Sequence, residues 1–340
     1  MSKIAVYGSG GWGTALSVMC CGAGHSVSLW SPFPQELEDI RRDGEHKRLL
    51  PGVRVPAEIC LTGNDDIARG ADLVVFAVPS FAVRQTAKRI APHIAPGHVV
   101  VNVAKGLEED SLKRLSQVLG EEIPGARVVV LSGPSHAEEV SRGIPTAVVA
   151  ASASAEAAML AQDTFMGPNF RIYVNSDMVG VELGGALKNS IALAAGICDG
   201  LGLGDNTKAA LMTRGIAEMA RLGTAMGGAP ETFAGLTGIG DLIVTCTSMH
   251  SRNRRAGIFI GEGLSAQQAI EKVGMTVEGY KTTHAAYRLA GKAGVEMPIV
   301  TECYRILFEG KEPRSAISDL MGRAKKHELE DAWSPDMKLR

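Results

Sequence analysis

The sequence predicts an α/β protein in which a mostly parallel, helix-covered N-terminal sheet is followed by an all-α C-terminal region. From residue 3 to about residue 174, short β-branched runs alternate with helical stretches, as in a parallel sheet covered by helices. After Asp177 the strand signal ends, and segments rich in Ala, Leu, Gly and Met continue with helical periodicity. A chain of 340 residues is also too long for one ordinary core. We therefore expect two domains, residues 1–176 and 177–330, separated by a cleft.

Seven strands are predicted in the first domain, several of them apolar on both faces as buried parallel strands require. They are residues 4–7, 27–30, 73–78, 99–103, 128–131, 147–150 and 171–174. Turn-forming or polar residues follow three of these strands, namely Pro79, Lys105 with Gly106, and Gly133 with Pro134. Because open α/β sheets bind ligands at the carboxyl ends of their strands, we expect the functional site there.

In the second domain, glycines mark the expected helix ends. They lie at Gly227 and Gly228, in residues 261–263, at Gly291 and at Gly310. The charged tail from residue 327 to 340, which contains Pro335, is expected to be frayed.

Composition excludes several classes of function. The formal net charge of -2 gives no general attraction to nucleic acid or anionic lipid, so any anion must be recognised locally. The six cysteines form no CxxC pair and no metal-ligand spacing with the eight histidines, which favours reduced thiols, a cytoplasmic location and no metal. The longest apolar stretch, residues 183–203, carries Lys188, Asn189 and Asp199, so it predicts a core helix rather than a membrane span. The sequence leaves open whether the chain forms a homodimer.

The segment Gly-Ser-Gly-Gly-Trp-Gly at residues 8–13 follows an apolar strand and opens a helix near Thr14. In this context Gly8 forms the tight turn, Gly10 lets the backbone approach a pyrophosphate, and Gly13 permits close helix packing. The pattern predicts a Rossmann-type dinucleotide site; a glycine-rich turn without a ligand is the alternative. Trp12 either covers the cofactor or fills the seam between the domains.

The residues after the second strand bear on the choice between NADH and NADPH. Residues 30–33 contain no carboxylate for the ribose hydroxyls and no arginine for a 2′-phosphate. Ser31 can hydrogen-bond to either group, and Phe33 can stack on the adenine. We expect both cofactors to work, with a modest preference for NADPH.

Lys188 is the candidate general acid/base. It lies in an otherwise apolar helix, and an apolar setting should lower the lysine pKa toward the working pH. Its neighbours at helical spacing include no carboxylate: Gly184, Gly185, Ile191 and Ala192. The alternative is a lysine that extends from the helix edge into water. Glu182 and Asn189 are either supports of the site or ordinary helix-end polar groups.

Further polar residues are expected around the cleft. Lys105 follows a strand end, although a solvated loop lysine is the alternative. Residues 133–135 offer backbone amides and the Ser135 hydroxyl to a ligand. A turn of this kind alone is only a weak signal of a binding site. Asp241 either orients a substrate or lysine, or caps a helix. His136 is left out of the chemistry, because a lone turn histidine is more often a surface or capping residue.

A helix start with Ser251, Arg252 and Asn253 predicts an anion site, because hydroxyl, guanidinium and amide donors meet free backbone amides there. Aromatic residues do not interleave with these donors. A single phosphate group is therefore favoured over nucleic acid as the ligand.

Taken together, these motifs resemble the bacterial NAD(P)-dependent glycerol-3-phosphate dehydrogenases over nearly the whole chain. The motifs are GSGGWGTAL, AKGLE, GPSHAEEV, ELGGALKN, GLTGIGDLIVTC, HSRNRR, VEGY and MPI, in this order. The resemblance implies interconversion of dihydroxyacetone phosphate and sn-glycerol 3-phosphate with NADH or NADPH, serving phospholipid synthesis. Two departures are Gly11, where serine is usual, and Pro32 with Phe33, where basic residues are common.

The resemblance also implies residue roles. Lys188 is the proton donor and acceptor. The substrate is held by Lys105, Gly133, Ser135, Lys188, Asp241, Ser251, Arg252 and Asn253. The cofactor is lined by Gly11, Trp12, Lys105, Ala137, Arg252, Val277 and Glu278.

Two other functions compete with this one. A β-hydroxyacid dehydrogenase shares the predicted architecture, but such enzymes carry an asparagine one helical turn after the lysine, where this chain has Ala192. A non-catalytic NAD(P)-sensing protein has no need of a desolvated lysine beside a phosphate site. A turnover assay distinguishes the sensor from the enzyme.

Overall fold

The computed structural model describes residues 1–325 and contains one large sheet. The strands are β1 (Lys3–Tyr7), β2 (Ser26–Trp30), β3 (Glu45–His46), β4 (Leu50–Arg54), β5 (Cys60–Thr62), β6 (Leu73–Phe76), β7 (Val99–Asn102), β8 (Arg127–Ser132), β9 (Thr146–Ala151) and β10 (Phe170–Asn175). Eight of them pair in the order β10-β9-β8-β7-β6-β1-β2-β5, and only β8 and β9 of these run antiparallel. The predicted mostly parallel sheet is confirmed.

Three short strands were not predicted. β3 and β4 form a separate antiparallel pair, and β5 extends the sheet beside β2. The sequence signal is weak because β4 contains Pro51 and Gly52, which are typical of turns, and β5 has only three residues.

Helices cover both faces of the sheet. They are α1 (Gly11–Gly22), α2 (Pro34–Asp43), α3 (Val83–Ile90), α4 (Leu115–Glu122), α5 (Ala137–Val140) and α6 (Ala155–Phe165). One buried cluster packs under α1 and α6, and a second, which contains Tyr7, Trp30 and Phe76, packs under α3 and α4. The strands are therefore apolar on both faces, as predicted.

The rest of the described chain is helical, which confirms the predicted fold class. Its helices are α7 (Met178–Gly200), α8 (Asp205–Ala225), α9 (Pro230–Phe233), α10 (Asp241–Thr247), α11 (Arg252–Gly261), α12 (Ala266–Val273), α13 (Glu278–Ala293), α14 (Pro298–Phe308) and α15 (Pro313–Met321). The prediction that Gly291 ends a helix is wrong: it lies inside α13, which Gly294 ends in the left-handed conformation. Within residues 1–325, no helix combines the length and hydropathy that crossing a bilayer requires. The tail from residue 327 lies outside the described residues.

The central helix α7 is buried along most of its length because small residues let its neighbours approach closely. A Cβ at Gly196 would lie 2.1 Å from the Arg254 carbonyl oxygen, and one at Gly257 would lie 2.1 Å from the Leu193 carbonyl oxygen. The backbones of α7 and α11 are thus in direct contact. This packing brings the start of α11 beside the middle of α7, where Lys188 lies.

Two carboxylates of the helical region bond to residues of the sheet region, one at the start of α4 and one after β6. Glu182 on α7 accepts hydrogen bonds from the Arg114 Nη1 atom at 2.6 Å and from the Ser116 backbone N–H at 2.8 Å. Glu278, the first residue of α13, accepts one from the Ser80 backbone N–H at 3.0 Å. These contacts hold the helical region against the carboxyl ends of the strands.

Candidate active site

Two lysines from different parts of the fold share one aspartate. The Lys188 ammonium donates to Asp241 Oδ1 and to Thr245 Oγ1, both at 2.6 Å. The Lys105 ammonium donates to Asp241 Oδ2 at 2.9 Å. It also donates to the Gly133 carbonyl oxygen at 2.7 Å and to Ser135 Oγ at 3.2 Å. Five of the predicted substrate residues therefore form one continuous hydrogen-bond network.

Local structure explains this convergence. Lys105 follows β7, and Gly133 with Ser135 follows β8, so all three lie at the carboxyl edge of the sheet. A Cβ at Gly185 would lie 2.5 Å from Ser132 Oγ, so only glycine lets α7 approach β8 this closely. Asp241 begins α10 but caps no helix with its side chain; the structure thus favours the charge-pairing interpretation over the capping one.

The electrostatics suit proton transfer. Burial, with a smaller contribution from the adjacent Lys105 charge, lowers the pKa of Lys188 to about 8, while Asp241 acts in the opposite direction. Burial alone would raise the pKa of Asp241, but the two lysines hold it below its ordinary value. Only 5 % of Lys188 is exposed, so it does not extend into water. A buried lysine that titrates near neutral pH can serve as general acid and base.

The start of α11 supplies a guanidinium that is free to bind an anion. No hydrogen-bond or ion-pair partner of Arg252 is found among residues 1–325. Burial lowers the pKa of Arg252, and Glu278 and Glu138 oppose that effect. Arg254, by contrast, already has a partner in Asp199 at 2.7 Å. An unpaired, partly buried guanidinium beside a helix start is suited to a phosphate.

The residues on either side of Arg252, Ser251 and Asn253, form hydrogen bonds with other parts of the protein. Ser251 caps α11, since its Oγ accepts from the Arg254 backbone N–H at 3.2 Å. Buried Asn253 donates to Asn189 Oδ1 at 2.9 Å and accepts from the Gly279 backbone N–H at 2.8 Å. These two predicted substrate residues lie at the site, but their side chains already have protein partners. Asn189 is joined to Asn253 by one of these hydrogen bonds, whereas Glu182 bonds to Arg114 and Ser116.

The glycine loop has the space that a dinucleotide requires. Gly8 has a φ of +118°, and a Cβ there would lie 2.7 Å from the Ala77 carbonyl carbon. A Cβ at Gly13 would lie 1.9 Å from the Gly8 carbonyl oxygen, whereas one at Gly10 would meet nothing within 4 Å. No side chain caps α1, so its first amides are free for a pyrophosphate.

The remaining predicted cofactor residues border this loop or the cleft. Half-buried Trp12 and Ala137 both pack against the buried cluster of Ala15, Leu50 and Val53, and a Cβ at Gly11 would lie 3.9 Å from that of Ala137. Val277 and Glu278 lie at the start of α13, where Glu278 bonds to Ser80. Phe33 follows β2 with 64 % of its surface exposed.

Sequence reasoning missed Glu36, a carboxylate beside the glycine loop. Glu36 Oε1 accepts hydrogen bonds from the hydroxyls of Ser9 and Ser31. Residues 30–33 lack an acid, but the first turn of α2 returns one to the end of β2. An acidic residue in the first turn of a helix that directly follows β2 was the available signal.

Thr245 was also missed, whereas His136, which was left out of the chemistry, lies close enough to Lys188 to be affected by its charge. Burial and the Lys188 charge lower the pKa of His136 to about 4, so this imidazole is neutral near pH 7. Its Nε2 atom is buried and lacks a hydrogen-bond partner in the described part of the chain. Thr245 gave no sequence signal, since its role depends on α10 packing against α7.

Comparisons with known proteins agree along nearly the whole length. Residues 3–158 match the family described as NAD-dependent glycerol-3-phosphate dehydrogenase N-terminus, and residues 177–318 match its C-terminus. The chain is 57% identical to glycerol-3-phosphate dehydrogenase [NAD(P)+] of Moorella thermoacetica, with 96% of this chain and 98% of that protein covered. It is 56% identical to the enzyme of the same name from Desulfitobacterium hafniense, with 97% and 94% covered. The crystal structure of glycerol-3-phosphate dehydrogenase from Coxiella burnetii is similar with a TM-score of 0.92 and 38% identity, covering 95% of this chain and 99% of that one.

Proposed function

The chain belongs to the NAD-dependent glycerol-3-phosphate dehydrogenase family, an oxidoreductase family that uses NAD(P), and we propose that it reduces dihydroxyacetone phosphate to sn-glycerol 3-phosphate. The observation that carries this proposal is the network of Lys188, Asp241 and Lys105 beside the unpaired Arg252. It provides a titratable proton donor and an anion site in one cleft.

The free amides of α1 and the open space at Gly10 fit a dinucleotide pyrophosphate. When bound there, the reduced nicotinamide supplies the hydride that the carbonyl carbon receives. The Lys188 ammonium donates its proton to the carbonyl oxygen, which becomes the new hydroxyl. Lys188 is left neutral and regains a proton from water. In the reverse direction, neutral Lys188 removes the hydroxyl proton.

The other residues position the substrate and the lysine. Asp241 remains charged and favours the ammonium form of Lys188 before transfer. Arg252 binds the substrate phosphate, and Lys105 holds the opposite side of Asp241 and contributes a second positive charge. Because the reacting groups come from both parts of the fold, substrate binding also orients them toward each other.

We further propose that the domain boundary falls between residues 176 and 177, where β10 is followed by α7. Six free cysteines favour the cytoplasm as its location. The product would then be available for glycerophospholipid synthesis.

The test is a turnover assay with dihydroxyacetone phosphate and either reduced cofactor, followed by absorbance of the reduced nicotinamide. We expect turnover by the unmodified protein and a loss of about 10²–10⁴-fold in Lys188→Ala, with cofactor affinity largely retained. Absence of turnover by the unmodified protein would contradict the function. Near-normal kcat in Lys188→Ala would remove Lys188 from the mechanism.

A further inference from the structure

Glu36 is held by hydrogen bonds between the glycine loop and the end of β2. Ser9 is the second residue of the glycine loop, and Ser31 directly follows β2. Both hydroxyls donate to Glu36 Oε1, the Ser31 one at 2.9 Å. Both serines are buried, and the Glu36 side chain is 15% exposed. The carboxylate is thus fixed at the loop while part of it still faces solvent.

The surroundings keep this carboxylate charged. Burial opposes ionisation, but His46 and the two serine hydroxyls outweigh it and lower the pKa of Glu36 to about 2. His46 Nε2 lies 3.6 Å from Glu36 Oε2, and Arg48 Nη2 lies 3.5 Å from the same oxygen. At neutral pH the group therefore accepts hydrogen bonds and donates none.

In dinucleotide sites of this fold, the end of β2 borders the adenosine ribose, and an acid there binds its 2′-hydroxyl. We propose that Glu36 makes this enzyme prefer NADH to NADPH, by accepting a hydrogen bond from the 2′-hydroxyl and by repelling a 2′-phosphate. The inference rests on the proposed function, because Glu36 has this role only if the glycine loop binds a dinucleotide. It reverses the modest NADPH preference that residues 30–33 predict.

Arg48 is a cation beside Glu36 that could attract a 2′-phosphate and so favour NADPH. Its side chain is 73% exposed, so its charge is screened by water and salt. Glu36, by comparison, is mostly buried and held by two hydroxyls. A 2′-phosphate carries about 1.5 to 2 negative charges near pH 7, so it would meet a fixed like charge and one mobile, screened opposite charge. The fixed carboxylate should dominate.

The test measures dissociation constants rather than turnover. Calorimetric titration of the full chain with NADH and with NADPH should show NADH bound about tenfold or more tightly, since like-charge contacts discriminate strongly. Glu36→Gln keeps the size and an acceptor oxygen but removes the charge. We expect it to reduce the ratio of the two constants about tenfold, mainly through tighter NADPH binding.

Glu38→Gln is the matched control, because Glu38 is an exposed acid on the same helix. It should leave the ratio unchanged. Equal affinities in the unmodified protein, tighter NADPH binding, or an unchanged ratio in Glu36→Gln would each overturn this inference alone. Binding of neither dinucleotide would overturn the proposed function, and with it this inference.

Discussion

The Lys188 ammonium lies between an apolar helix that opposes its charge and a carboxylate that favours it. The hydrogen bond to Asp241 spans 53 positions of sequence, so helical spacing around Lys188 could not show it. The apolar setting of Lys188 is evident from its own helix, and its lowered pKa follows from that setting. The sequence did not decide whether Asp241 caps a helix or pairs with a lysine, because α10 and α7 meet only through tertiary packing.

The pH profile follows from this balance. In the proposed mechanism, reduction needs the ammonium form of Lys188, so kcat/KM for dihydroxyacetone phosphate should fall above about pH 8. Oxidation of glycerol 3-phosphate would need the neutral amine in the same mechanism, so its kcat/KM should rise toward the same pH and then level off. Both profiles should be measured above about pH 7, because the substrate phosphate itself titrates near pH 6.

Asp241→Asn provides the check on that assignment. Asp241 raises the pKa of Lys188, so removal of its charge should move the falling limb of the reduction profile to lower pH. A limb that stays at the same pH in Asp241→Asn would show that another group titrates there. His136 is unsuited to that role, since its pKa is lowered to about 4.

Arg252 should discriminate between phosphorylated and unphosphorylated substrates. A charge-assisted hydrogen bond is worth about 1.5–3 kcal/mol, so Arg252→Ala should raise KM for dihydroxyacetone phosphate by roughly 10- to 150-fold. The effect on dihydroxyacetone should be much smaller. Arg254→Ala is the control, because Arg254 pairs with Asp199 and should alter both substrates equally. Equal losses in Arg252→Ala would assign Arg252 to the cofactor or to the fold.

At the scale of elements, the strands and turns whose signal lies in the local sequence were predicted correctly. The strands of the large sheet other than β5 follow from β-branched runs, and the glycine loop follows from its position between β1 and α1. Elements whose signal is short or interrupted were missed, as β3, β4 and β5 were. Gly291 illustrates the same limit: a glycine inside a helix looks like a helix end unless the packing around it is known.

One helix start depends on a buried acid from another helix. Glu218 on α8 accepts hydrogen bonds from the backbone N–H groups of Ile299 at 2.7 Å and Val300 at 3.3 Å, in the first turn of α14. Pro298 precedes them and has no N–H to satisfy. Burial raises the pKa of Glu218 to about 7. The folded state therefore binds a proton more readily than the unfolded state does.

This shift makes stability depend on pH. Because the folded pKa exceeds the unfolded one, the contribution is fully present below about pH 4.5 and is lost as pH rises to about 7. The free energy of unfolding should fall across that range by about 1–3 kcal/mol. Glu218→Gln should flatten this part of the profile in denaturant titrations, because an amide does not titrate. Glu231→Gln, an exposed acid on α9, should retain it. An equal slope in Glu218→Gln and the unmodified protein would contradict this assignment.

At the scale of the whole molecule, the proposed active site is divided between the two parts of the fold. Lys105 belongs to the sheet region, whereas Lys188 and Asp241 belong to the helical region. The distances among them therefore depend on how the two regions are held together. Glu182 was left undecided by the sequence, and the structure places it in that contact rather than beside Lys188, because it bonds to Arg114 and Ser116.

Glu182→Ala should consequently affect catalysis at a distance. Breaking a buried, charge-paired contact by removal of one partner typically costs about 3–5 kcal/mol, so stability should fall. The loss of alignment between Lys105 and the Lys188–Asp241 pair should lower kcat, because small displacements of reacting groups reduce the rate strongly. The dissociation constant for NADH should change less than kcat does, since the glycine loop and the serines around Glu36 lie in the sheet region. Glu156→Ala, which changes an exposed acid at the start of α6, is the control. If kcat in Glu182→Ala stayed normal at a temperature where the variant is folded, the alignment of the two regions would have to depend on other contacts, of which Glu278 with Ser80 is the next to test.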